Sequence, residues 1–75
     1  MDERTRTMHL AAGLAYGREA TCGRKIDYRS ESSAERAAEA MTAKSGRPLE
    51  AYPCVWCEGW HIGREMTEKE RQEFG

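Results

Sequence analysis

One stretch of the chain carries apolar residues at helical spacing: Ala34, Ala37, Ala38 and Met41 fall at i, i+3, i+4 and i+7, with Glu35, Arg36, Glu39 and Lys44 between them. The pattern predicts a helix over 33–45. Ser32, with Glu35 three residues on, has the spacing of a capping box that would satisfy two backbone donors at its start. Gly46 and then Pro48 end it. A face built mostly of Ala lets such a helix lie close to a sheet. Shorter runs of strand character flank it, over 25–28, 49–52 and 60–64. Alternation puts Leu49 and Ala51 on one face, with Glu50 and Tyr52 on the other. In the last run Trp60 and Ile62 share a face opposite His61. The fold class this predicts is α+β, a β-α-β-β unit with Trp60 and Ile62 packed under the helix.

The ends are also patterned. Thr67 with Glu70 predicts a second capping box ahead of a short acidic helix reaching about Phe74. Residues 5–16 read as a helix with Met8, Ala11, Ala12 and Ala15 on one side, interrupted by Gly13, and His9 reads as a surface residue of it. The organisation expected is an N-terminal segment 1–19, a central domain 20–64 and a short acidic C-terminal helix 65–75, with no internal repeat.

Composition poses a stability problem. The chain has 75 residues, one Phe, three Leu, two Ile and a single Val. A core this small seldom supplies more than roughly 3–5 kcal/mol without a metal, a disulfide or a partner. Three cysteines, an odd number, argue against a disulfide framework and suit reduced thiols in a cytoplasmic setting. No apolar run approaches a membrane span.

The candidate staple lies between Tyr52 and His61, where Cys54, Cys57 and His61 have C-x2-C-x3-H spacing. A two-residue gap lets both sulfurs of a tight knuckle at a hairpin tip point at one metal, and three further residues let a returning strand deliver the imidazole. Cys22 is the one remaining cysteine and completes Cys3His by count, with His9 as the competing fourth ligand. Four protein ligands close a tetrahedral Zn2+ site and leave no water position, so the metal would be structural and the chain not an enzyme. His61 as an ordinary strand histidine is the plain alternative.

The constellation C-G-R-K-x-x-Y from Cys22, an Ala-rich helix opened by serines, and Y-x-C-x-x-C ending in W-H resembles the small Cys/His zinc-finger-like proteins of bacteria and phages. The resemblance covers residues 22–63. It implies one zinc bound by Cys22, Cys54, Cys57 and His61. This chain departs from the pattern in its E-G-W spacing before His61 and in its N-terminal segment.

With zinc confined to holding the fold, function falls to the surface. Trp56, between the two knuckle cysteines, either points outward as a binding anchor or folds back to shield the metal. The first expectation is a protein-binding or regulatory adaptor with another protein as partner and no small-molecule substrate. The alternative is a nucleic-acid-binding finger, DNA included, using Arg24, Lys25, Arg29, Arg47 and Arg64 with Tyr28, Tyr52 or Trp56 as stacking surfaces. Net charge of −1 counts against it. The charge is uneven, with six basic and four acidic residues in 1–29 and four Glu against Lys69 and Arg71 in 65–75. A second alternative is C-x2-C thiol redox chemistry, although such a thiol normally opens a helix, and here strand pattern resumes at once.

Overall fold

The computed structural model describes Met1–Gly75. Its elements run α1 (Glu3–Tyr16), α2 (Arg18–Thr21), α3 (Glu31–Ser45), β1 (Leu49–Pro53), β2 (Trp60–Arg64) and α4 (Glu68–Phe74). β1 and β2 form an antiparallel hairpin in the register Leu49↔Arg64 to Pro53↔Trp60. The directly paired Ala51 and Ile62 therefore share a face, and Glu50, Tyr52 and His61 share the other. α3 lies against both strands, and α1 against β1 and α4. No helix is long and apolar enough to cross a membrane.

The central helix begins earlier than its sequence pattern implies. Its N-cap is Ser30, whose Oγ accepts the Ser33 N–H at 3.2 Å, so the expected Ser32–Glu35 box does not form. Ser30 sits in extended backbone at the end of the preceding segment, and the helix starts where that segment stops. Its end falls as expected: Gly46 adopts φ +76, a conformation that suits glycine, and its N–H reaches the Thr42 carbonyl at 2.9 Å. Ala34 and Ala38 are buried, but Met41 is 46% exposed, because the stripe continues through Thr42, whose hydroxyl accepts the Leu49 N–H of β1 at 2.9 Å.

The first expected strand is a correction. Only Tyr28 pairs, bridging Trp60 through Tyr28 N–H to Trp60 O (2.8 Å) and the reciprocal bond (2.9 Å). Upstream, the Ile26 carbonyl is bonded to His61 Nδ1, so it is used by a side chain and not by a ladder. The hairpin plus one bridge replaces the three-stranded expectation.

The helical N-terminal segment starts at Asp2, whose carboxylate accepts the Thr5 N–H at 2.8 Å. Its buried face is Met8, His9, Ala12 and Gly13, rotated from the Met8, Ala11, Ala12 and Ala15 stripe. His9 is thus interior: its ring stacks on Tyr52 with centroids 5.6 Å apart, and Nε2 lies 2.9 Å from Glu50 Oε2, off a hydrogen-bonding line. The Thr67–Glu70 capping box forms. Glu70 also accepts from Tyr16 Oη (2.5 Å) and from both Nη atoms of Arg64 (2.8 and 2.9 Å), tying α1, β2 and α4 together. These donors hold its carboxyl well below the ordinary Glu range.

The apolar core is small: Met8, Ala12, Ala34, Ala38, Ala51 and Cys54. The one large side chain that is fully buried is His61, at 1% exposure.

Candidate metal centre

Three segments deliver four donors to one point. Cys22 caps the C-terminus of α2, with its N–H on the Arg18 carbonyl at 2.7 Å. Cys54 follows β1 directly. Cys54 N–H bonds the Gly59 carbonyl at 2.9 Å and Glu58 N–H bonds the Cys54 carbonyl at 3.1 Å, which folds residues 54–59 into the knuckle at the hairpin tip. Glu58 takes a positive φ of 63° to make that turn. His61 is the second residue of β2. The ligand atoms of Cys22, Cys54, Cys57 and His61 all lie within 4.8 Å of one another, so they could hold one metal ion. Cys22, and not His9, stands with the other three.

Second contacts fix the donors. His61 Nδ1–H donates to the Ile26 carbonyl at 2.6 Å, which leaves Nε2 with its lone pair, 3.4 Å from Cys57 Sγ. Cys54 Sγ accepts the N–H of Trp56 at 3.3 Å and of Cys57 at 3.5 Å. The segment after Cys22 passes tightly over the knuckle: a Cβ at Gly59 would collide with the Asp27 carboxylate and come within 3.2 Å of the Tyr28 carbonyl. Any larger residue there would have to displace the Asp27 side chain.

Electrostatics point the same way. Without a cation, burial and the neighbouring Cys54 and Cys57 push the Cys22 thiol up to about 11. Burial opposes ionisation of Cys54 too, but the backbone N–H groups of Cys57 and Trp56 outweigh it and bring that thiol below its ordinary value. Three sulfurs so close together resist carrying three negative charges, and a bound cation removes the conflict.

The expected surface residues divide. Trp56 is 38% exposed, and its Nε1–H donates to the Gly13 carbonyl at 3.0 Å, so the indole is latched onto α1 and does not project freely. Val55 meets α1 at the same point, 3.1 Å from where a Gly13 Cβ would lie. Tyr52 is half-buried and occupied: its hydroxyl donates to the Thr21 carbonyl at 2.6 Å, and its ring packs against His9 and His61. Arg64 is engaged by Glu70. Arg24, Lys25 and Arg29 are exposed. The Trp56 latch and the Glu70 network were not anticipated; Gly13, a glycine inside a helical pattern, was the available sign of a close approach.

No protein-family model matches the chain, and no significant match is found among curated proteins or solved structures.

Proposed function

We propose that the chain is a zinc-stabilised binding module: one Zn2+ held by Cys22, Cys54, Cys57 and His61 keeps a small fold rigid, and the exposed surface serves a protein partner. The observation that carries the zinc assignment is the four-donor cluster, with His61 oriented through Ile26. Tetrahedral zinc with Zn–S of about 2.3 Å and Zn–N of about 2.0–2.1 Å needs ligand separations of roughly 3.5–3.8 Å. The 3.4 Å between Cys57 Sγ and His61 Nε2 is close to that edge, while the four donors as a set lie within 4.8 Å of one another, a looser spread than a filled site. A soft Cys3His set favours zinc over the hard cations that oxygen ligands select. Four protein donors fill the coordination sphere, which supports a structural and not a catalytic role.

The adaptor reading is supported by the apolar groups left outside once the fold is formed. Leu14 on α1 is 61% exposed and Trp56 on the knuckle 38% exposed, so large apolar side chains remain available on two elements for a partner. The nucleic-acid alternative loses Arg64 to Glu70 and Tyr52 to its contacts with Thr21, His9 and His61, and retains Arg24, Lys25, Arg29 and Arg47.

The experiment is metal analysis of protein purified under reducing conditions, followed by cobalt substitution. One zinc per chain, and a cobalt form with tetrahedral d–d bands and thiolate charge-transfer absorption, are expected. Octahedral cobalt spectra or no bound metal would remove the reading. For the surface, chemical crosslinking in the native host with Leu14→Asp as control is expected to lose a specific protein partner in the variant; a partner retained by the variant contradicts this surface assignment.

A further inference from the structure

The four donors are unequally protected. Cys54 is buried at 5% exposure, and its sulfur accepts two backbone N–H groups. His61 is buried and bonded at its second nitrogen. Cys57 is exposed, and its sulfur accepts no backbone N–H. Its one polar neighbour outside the ligand set is the Asp27 carboxylate, with Oδ1 3.9 Å from Sγ. An N–H donor withdraws charge from a thiolate and blunts its nucleophilicity, whereas a carboxylate beside it does the reverse. Of the three sulfurs Cys57 is therefore the most accessible, and no backbone N–H shields it.

We propose that Cys57 is an oxidation site through which a peroxide-class oxidant opens the metal centre. The inference rests on the zinc reading and adds its regulation. The Cys57 thiolate attacks one oxygen of hydrogen peroxide; an S–O bond forms, the O–O bond breaks, and the departing hydroxide takes a proton to become water. Sulfur is oxidised by two electrons and peroxide is reduced by two. The Cys22 thiolate, within 4.8 Å and without a backbone N–H on its sulfur, then attacks Cys57 Sγ, forming the disulfide and expelling the oxygen as hydroxide, which takes a second proton. In sum, two thiolates, one peroxide and two protons give one disulfide and two waters. The disulfide removes two of the four donors, so only Cys54 and His61 would remain to hold a metal. Cys54, at 5% exposure, is more enclosed than Cys22 and is the less accessible resolving thiol.

The test uses the whole zinc-loaded chain treated with hydrogen peroxide, with zinc release followed by a chromogenic chelator and each cysteine mapped by differential alkylation and mass spectrometry. One zinc released per Cys22–Cys57 disulfide is expected, reversed by dithiothreitol and added zinc. Iodoacetamide, a neutral electrophile, should label Cys57 about tenfold faster than Cys54, the scale on which thiolate environment tunes reactivity. Asp27→Asn, which alters no ligand, should keep one zinc per chain while slowing peroxide-driven release about two- to fivefold. Cys54 labelled first, all three cysteines modified together on unfolding, or an unchanged rate in Asp27→Asn would overturn the proposal while leaving zinc binding intact. A purified chain without zinc overturns the zinc reading itself, and is distinguished by stoichiometry before any oxidant is added.

Discussion

The imidazole of His61 is held at both nitrogens, by the Ile26 carbonyl on one side and beside Cys57 Sγ on the other, in the most buried position any large side chain occupies. His61→Ala is expected to abolish metal binding and cooperative folding together. His61→Cys restores a fourth soft donor and should recover metal but not the Ile26 bond, giving a folded chain of reduced stability, as read by metal stoichiometry and far-UV circular dichroism. A folded, zinc-loaded Ala variant would mean that the histidine is merely a core residue. Trp56 is a different case. Trp56→Phe keeps the ring and removes the N–H to Gly13, whose carbonyl still accepts from Gly17, so a loss of only about 0.5–1.5 kcal/mol is expected in denaturant titration, with zinc stoichiometry unchanged. Gly13→Val acts on the same seam by placing a Cβ against Val55, and should cost about 1–3 kcal/mol and shift Trp56 fluorescence as the indole loses its seat. The C-x2-C-x3-H spacing made three ligands legible, because local spacing alone brings them together. Trp56 was legible only as an ambiguity, since its partner lies 43 residues away and Gly13 signals a close approach without naming what approaches.

Among the elements, α4 depends on a single carboxylate. Glu70 completes the capping box and accepts from Tyr16 and Arg64, so its folded-state carboxyl titrates below the unfolded one. A depressed carboxyl contributes stability above the unfolded value near 4.5, and that contribution is lost as pH falls through and below it. The stability difference between the native chain and Glu70→Gln should therefore be full at neutral pH and shrink below about pH 4.5. Measuring the difference removes the separate effect of metal lost in acid. A difference that stays constant down to pH 3 would show that the carboxylate charge contributes nothing. The Thr67–Glu70 box could be read from sequence because both partners lie within one helical turn. The start of α3 could not be read as securely: Ser30, Ser32 and Ser33 all offer cap chemistry, and the extended backbone ending at Ser30 chose among them. Residues 25–28 look strand-like, yet Ile26 gives its carbonyl to His61, a bond between residues 35 apart that no local pattern announces. The burial of His9 against Tyr52 and Glu50 was hidden for the same reason.

For the whole molecule, the decisive fact is how little apolar side chain the interior contains. Alanines, Met8 and Cys54 cannot supply what larger residues would, and His61 occupies the centre. Structural zinc contributes an apparent 10–16 kcal/mol, roughly, in small fingers, enough to dominate such a fold. A metal held by the four donors would join parts that the chain keeps far apart: Cys22 ends α2, whereas Cys54, Cys57 and His61 belong to the hairpin. Through Trp56 and Tyr52 the hairpin in turn holds α1 and Thr21. Loss of metal should therefore release the N-terminal helices as well as the knuckle. The most direct measurement is native mass spectrometry of the reduced, tag-free chain with zinc and after chelation, read beside hydrogen exchange of both forms. One zinc per chain, compact charge states that disappear on chelation, and loss of protection in α1 together with 54–61 are expected. A compact, protected chain that carries no metal, or keeps its fold after chelation, would contradict a metal-held fold.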